Sequence, residues 1–181
     1  MQLKPALPWL ALALGLWAAG LAAGRLRAHP ERTARPEWQH SWLELDGEGR
    51  RTYALLREDL FEAENQRART GSWPAPAWLA GAGLEPFAGS TWVLRRQGLS
   101  VNYLGESAGV RWLVVILEAD PAERRLASPT AATAPFDEEH HTLGDGTALH
   151  LTVWTQPLSA RAPENTLSFP ATEGWVQRVG Q

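Results

Sequence analysis

The 181-residue chain contains no cysteine. That absence excludes a disulfide scaffold, a thiolate zinc site, an iron–sulfur cluster and a cysteine nucleophile. It also excludes a lipoprotein, because there is no thiol to lipidate, and it leaves the compartment open, since a chain without cysteine is compatible with either side of a membrane. Strong charge of one sign is missing too. A net charge of −3 argues against a general nucleic-acid binder, which would be basic. There is no internal repeat. What is present is ordinary globular composition, 44% hydrophobic and 20% charged, in a length that suits one domain with an appendage. Ten tryptophans are many for this length; they are expected in a small core or at a membrane boundary, since a base-stacking platform needs a basic groove.

The clearest pattern lies at the start. Residues Pro5 to Gly24 carry no charged or hydrogen-bonding side chain apart from the indoles of Trp9 and Trp17, with Lys4 before them and Arg25 after. Twenty helical residues reach about 30 Å, the thickness of a hydrocarbon core. Pro5 and Pro8 fall in or before the first turn, where a helix tolerates them. A cleavable signal peptide competes with this reading, because Ala22-Ala23-Gly24 are small residues before a potential cut. The length exceeds a usual signal core, which favours a permanent transmembrane helix over residues 1–24. Ala11, Gly15, Ala19 and Ala23 recur every fourth residue, and Gly20 and Gly24 form a GxxxG. Such a small-residue face allows a helix-mediated homodimer. Arg25, Arg27, Arg32 and Arg35 follow the segment, which by charge counting favours a cytoplasmic C-terminal side; Lys4 with the amino group resembles a signal start, and large domains translocate largely regardless of charge. The expectation is the extracytoplasmic side. The same arginines suit anionic lipid head groups, whereas Arg124-Arg125 reads as ordinary surface charge.

Residues 25–40, basic and carrying Pro30 and Pro36, read as a juxtamembrane linker, and residues 41–181 as the soluble domain. Asp46-Gly47 is a turn signal. Over 49–70, Tyr53, Leu56, Leu60 and Ala63 make one apolar stripe with Leu55 and Phe61 beside it, while Arg57, Glu58, Glu62 and Arg67 mark the wet face; Gly71, Ser72 and Pro74 end the helix. A short helix around Trp78-Leu79-Ala80 is expected inside a proline-rich connection. Runs 91–96 and 99–104, split by Gln97-Gly98, predict a hairpin. Run 110–118 is apolar on both faces, as a central strand must be. Run 147–156 alternates, with Leu149, Leu151 and Val153 on one face and His150, Thr152 and Trp154 on the other. The fold class is therefore α+β: an N-terminal transmembrane helix, then one amphipathic helix packed on an antiparallel sheet of about four strands. Residues 119–146 read as one long connection, functional or disordered at that length, and Trp175-Val176 as a docking segment near the end.

Two constellations carry chemical interest. Gly105-Glu106-Ser107-Ala108-Gly109 matches the nucleophile-elbow pattern, with Asp145 and His150 in the order of a hydrolase triad. That elbow demands strand, sharp turn and helix, whereas the residues after it read as a strand, so the motif reads as a glycine-flanked turn and no catalytic residue is assigned. The second is Asp137-Glu138-Glu139-His140-His141 with Asp145 and His150. Three of the five histidines fall within 11 residues beside carboxylates, and imidazole nitrogens with carboxylate oxygens suit zinc and similar divalent ions. His140 and His141 point opposite ways if extended, so one of them with His150 is the better pair, completed by Asp137 or Asp145.

Several segments together, His40-Ser41-Trp42-Leu43-Glu44-Leu45-Asp46, Tyr53-Ala54-Leu55-Leu56-Arg57, Leu79 to Phe87, Tyr103-Leu104-Gly105 and Gly174-Trp175-Val176-Gln177, resemble an uncharacterised family of small membrane-anchored proteobacterial proteins. That family is often encoded beside metal-uptake ABC transporters. The resemblance implies a single-pass protein of the inner membrane, with its domain in the periplasm and a link to divalent-metal uptake; it implies no catalytic residue. The resulting expectation is a non-enzymatic accessory protein that binds zinc or another divalent metal through His140, His141, His150, Asp137 and Asp145 and assists a transporter. The alternative is a structural subunit of an envelope assembly with pilin-like element order.

Overall fold

The computed structural model describes residues 35–119 and 139–180. The expected transmembrane helix, its pairing face and the arginines up to Arg32 lie outside the described residues, as do Arg124-Arg125 and Asp137. Among the described residues no helix is long and apolar enough to cross a membrane. From Glu37 onward the chain forms one unit of the α+β class.

The main helix, α1 (Gly47–Thr70), begins at Asp46, whose Oδ1 accepts from Gly49 N at 2.7 Å. The residue that reads as a turn signal is thus a helix N-cap. Gly71 stops the helix in the left-handed region (φ +76°), its N–H bonded to the Arg67 carbonyl. Tyr53, Leu56, Leu60 and Ala63 are buried as their spacing predicts, and so are Asp59 and Glu64 on the two flanks of the stripe. A short helix, α2 (Pro76–Gly81), follows, with Leu79 in the core.

Among the described residues, seven strands make one sheet: β1 (Gln39–Ser41), β2 (Trp92–Gln97), β3 (Ser100–Ser107), β4 (Val110–Glu118), β5 (His140–Thr142), β6 (Ala148–Pro157) and β7 (Val176–Val179). The order is β1-β7-β6-β4-β3-β2, with β5 also on β6. Since β4 pairs with β6 along 149–157, β5 and β7 share the other edge of β6, at 148–150 and 153–155. The expected four antiparallel strands are a correction. The sheet is larger and mixed, because β1 pairs parallel with β7. The additional strands have three or four residues each, too few for alternation to mark them.

The central strand β4 sends Trp112, Val114 and Ile116 into the core under α1, and Leu113 and Val115 into a second core with Trp154 and Trp175. Residues 158–171 help to cover that second face. Asn102 clamps them with a two-way amide pairing: its Nδ2 donates to the Leu167 carbonyl at 3.0 Å and its Oδ1 accepts from Leu167 N at 2.6 Å. Arg95 and Arg111 donate to the Pro163 and Ala160 carbonyls at 2.6 and 2.8 Å. The side chains thereby satisfy an irregular segment that has no strand to pair with.

One charged cluster is built into the frame. Glu118 Oε1 accepts from Arg67 Nε at 2.7 Å and from Trp73 Nε1 at 2.9 Å, and Arg96 stands 3.6 Å from Oε2. Arg67, which its charge assigns to the wet face, stands four residues after Ala63 and so continues the buried stripe; it is largely buried and ties the end of α1 to β4.

Candidate functional site

The histidines converge on β5 and its neighbour β6. Pairing places His140 opposite His150, and their rings stack at 4.3 Å with 3° between planes. His150 keeps 40% of its side-chain surface exposed, and Glu139 Oε2 lies 3.6 Å from its Nε2. Glu139 Oε1 accepts from Gln177 Nε2 at 2.9 Å, while Gln177 Oε1 accepts from Gln39 Nε2 at 3.1 Å. Gln177 is 3% exposed, so this amide chain is a fixed brace from β7 and β1 that leaves the other Glu139 oxygen toward His150.

His141 points to the opposite face, as strand alternation requires. Its Nε2 lies 2.9 Å from Glu64 Oε1 on α1, with both side chains largely buried. Burial pushes the Glu64 carboxyl above the ordinary range, against the pull of His141 and Arg57. His141 therefore stands apart from His140 and His150, and serves the helix–sheet contact.

Asp145 is engaged elsewhere as well. Its Oδ1 accepts from Thr147 N at 2.8 Å in a tight turn, and its Oδ2 accepts from Arg67 Nη1 at 3.3 Å. Of the expected set, the structure brings together His140 and His150, separates His141 and Asp145, and leaves Asp137 outside the described residues. The carboxylate that reaches the pair is Glu139. It belongs to the same acidic run, and its position beside β5 was the available signal. Among the described residues, no group of three or more His, Asp or Glu side chains is placed to hold a metal ion. Parallel rings 4.3 Å apart direct their nitrogens side by side. A tetrahedral zinc with bonds of about 2.0–2.1 Å spans nitrogens about 3.3 Å apart, so a rotation of the exposed His150 ring is needed for both to reach one ion. His40, the other described histidine, contacts Glu44 at 2.7 Å; that bond holds the Glu44 carboxyl below its ordinary range.

The serine motif is a hairpin. Ser107 pairs with Val110, and Ala108 (φ +52°) and Gly109 (φ +71°) form the turn between them, the pattern of a two-residue type I′ turn. Val110 lies opposite Pro157 and Leu117 opposite His150; seven strand residues at roughly 3.3 Å each put Ser107 more than about 20 Å from His150. The first glycine of the motif has a packing role. A Cβ on Gly105 would stand 2.2 Å from the Trp92 ring, its cross-strand partner.

Comparison with family models, curated proteins and solved structures finds no match to this chain.

Proposed function

We propose that the chain is a non-catalytic, membrane-tethered accessory protein of the bacterial envelope. Its domain binds a divalent cation, zinc by donor type, through His140, His150 and Glu139, and assists a metal-uptake transporter. The observation that carries the cation reading is the cross-strand register that stacks His140 on His150 beside a carboxylate braced by Gln177. Two imidazoles and one carboxylate are a borderline-soft donor set that suits zinc. The apolar stretch 5–24 supports the tether, and the family resemblance supports the envelope setting and the transporter link.

Calorimetric titration of zinc into the detergent-solubilised full chain tests the cation site. One saturable site is expected, weakened at least about tenfold in the double variant His140→Ala, His150→Ala, the scale on which loss of metal ligands or their supports acts. No saturable binding, or equal affinity in that variant, overturns it.

A further inference from the structure

The second face of the sheet ends in an aromatic patch that the fold leaves open. Trp38 stacks on Trp154 at 5.6 Å, and the Phe169 ring sets its edge against both, at 5.4 and 6.3 Å. Trp154 is buried, but Phe169 is 53% exposed and Trp38 is half-buried. The three rings pack on one another, so the outer edge of Phe169 is presented to solvent from a fixed base.

The patch lies at the tethered end of the chain. Thirteen residues separate Gly24 from Trp38, so Trp38 stays within about 50 Å of the end of the apolar stretch. A tether this short holds the domain at about millimolar effective concentration against the bilayer, and burial of one or two rings at the headgroup level is then sufficient for contact. Arg25, Arg27, Arg32 and Arg35 lie in that same tether. They supply positive charge for anionic headgroups, which offsets the exposed carboxylates of Glu37 and Glu173 near the patch. Phe61 is even more exposed, at 65%, but it is a single ring on the outer side of α1, with Arg57 and Glu58 as its helical neighbours one turn back, and it lies 37 residues from the end of the apolar stretch.

We propose that the Trp38–Trp154–Phe169 patch docks on the anionic lipid surface of the bilayer that anchors the chain. The proposal rests on the reading of residues 5–24 as a permanent anchor. It places the ring edge of Phe169 among the headgroups, where aromatic side chains are favoured. His150 lies on the same sheet face as Trp154, four residues away along β6, or about 13 Å, so docking holds the histidine pair close above the bilayer.

The absence of native cysteine makes the test direct. Single variants Phe169→Cys, Thr172→Cys and Phe61→Cys of the full chain are spin-labelled and reconstituted into phosphatidylglycerol–phosphatidylcholine vesicles. Accessibility to oxygen and to a water-soluble nickel chelate is then compared. Thr172 is exposed beside the patch, so it reports even where the Phe169 change disturbs local packing. The oxygen-to-nickel ratio at 169 and 172 is expected to exceed that at 61 by at least about threefold, as for a shallowly inserted site, and to fall in pure phosphatidylcholine. Equal aqueous accessibility at all three sites, in vesicles that retain the protein through a carbonate wash, overturns docking and leaves the anchor standing. Loss of the protein in that wash overturns the anchor and the docking with it. A label at 169 shielded only in native membranes, and aqueous in pure lipid, replaces the lipid with a protein partner and likewise overturns the proposal.

Discussion

Asp59 is the buried group whose consequences can be worked furthest. It lies on the flank of the α1 stripe, 5% exposed, and its Oδ2 has no hydrogen-bond partner among the described residues. Burial, reinforced by Glu58 and Glu85, pushes its carboxyl from 3.8 up to about 6. The folded state therefore holds this proton to a higher pH than the unfolded chain does. The sign follows from linkage: Asp59 costs nothing below about 3.8, and stability falls as pH rises from there through about 6. A displacement of about two pH units corresponds to about 3 kcal/mol. The Glu85 carboxylate that acts on it is itself exposed, in a pair with Arg51, and solvent screening reduces the effect to about 1–2 kcal/mol. Asp59→Asn removes the charge and keeps the shape. The amide brings its own pH-independent desolvation cost, so the diagnostic is how the mutational effect changes with pH. Thermal unfolding followed by near-ultraviolet circular dichroism at pH 4 and pH 8 is the assay. Relative to wild type, the variant is expected to gain about 1–2 kcal/mol between the two pH values, or roughly 3–6 °C in Tm. An effect of Asp59→Asn that is the same at both pH values would refute the reasoning.

Two further substitutions probe the frame. Gly105→Ala drives a methyl group into the Trp92 ring and is expected to destabilise by about 2–3 kcal/mol in urea unfolding, the upper range for overpacking; a cost below about 0.5 kcal/mol contradicts the packing. Glu118→Ala leaves the buried Arg67 with Asp145 alone and the Trp73 N–H unpaired and is expected to cost about 2–4 kcal/mol, whereas Arg96→Ala, at the exposed edge of the same cluster, costs less than about 1 kcal/mol. Similar losses in the two variants would show that Glu118 is not the centre of the cluster.

The parts of this fold that are legible in the sequence are those whose periodicity runs for several residues. The Tyr53–Leu56–Leu60–Ala63 stripe, the two apolar faces of Val110 to Glu118 and the alternation along Ala148 to Pro157 each repeat often enough to fix which face is buried. The hairpin turns are legible through glycine, although the first one uses Gly98 (φ +58°) and Leu99 where Gln97-Gly98 is expected. Gln39–Ser41 and Val176–Val179 carry no such repeat. They are strands because each finds the other, across most of the chain, on the edge of β6. Charge misleads in α1: Asp59, Glu64 and Arg67 look solvated by type, yet Asp59 and Glu64 are buried on the margins of the stripe and Arg67, four residues after Ala63, continues it. The same holds for the candidate site. Alternation along β5 separates His140 from His141 and leaves His150 to one of them, which is readable locally. That Arg67 engages Asp145, and that Gln177 steers Glu139 toward His150, depends on tertiary contacts that sequence spacing does not carry.

The cation site is the claim on which the functional account depends. Heteronuclear NMR of the imidazole groups, recorded as zinc is added to the full chain in detergent, reads each histidine separately. The account predicts that the His140 and His150 ring signals shift together and saturate at one equivalent, while His141, facing Glu64 across the sheet, stays unchanged. Zinc that moves His141 with the other two, or moves none of them, would contradict it.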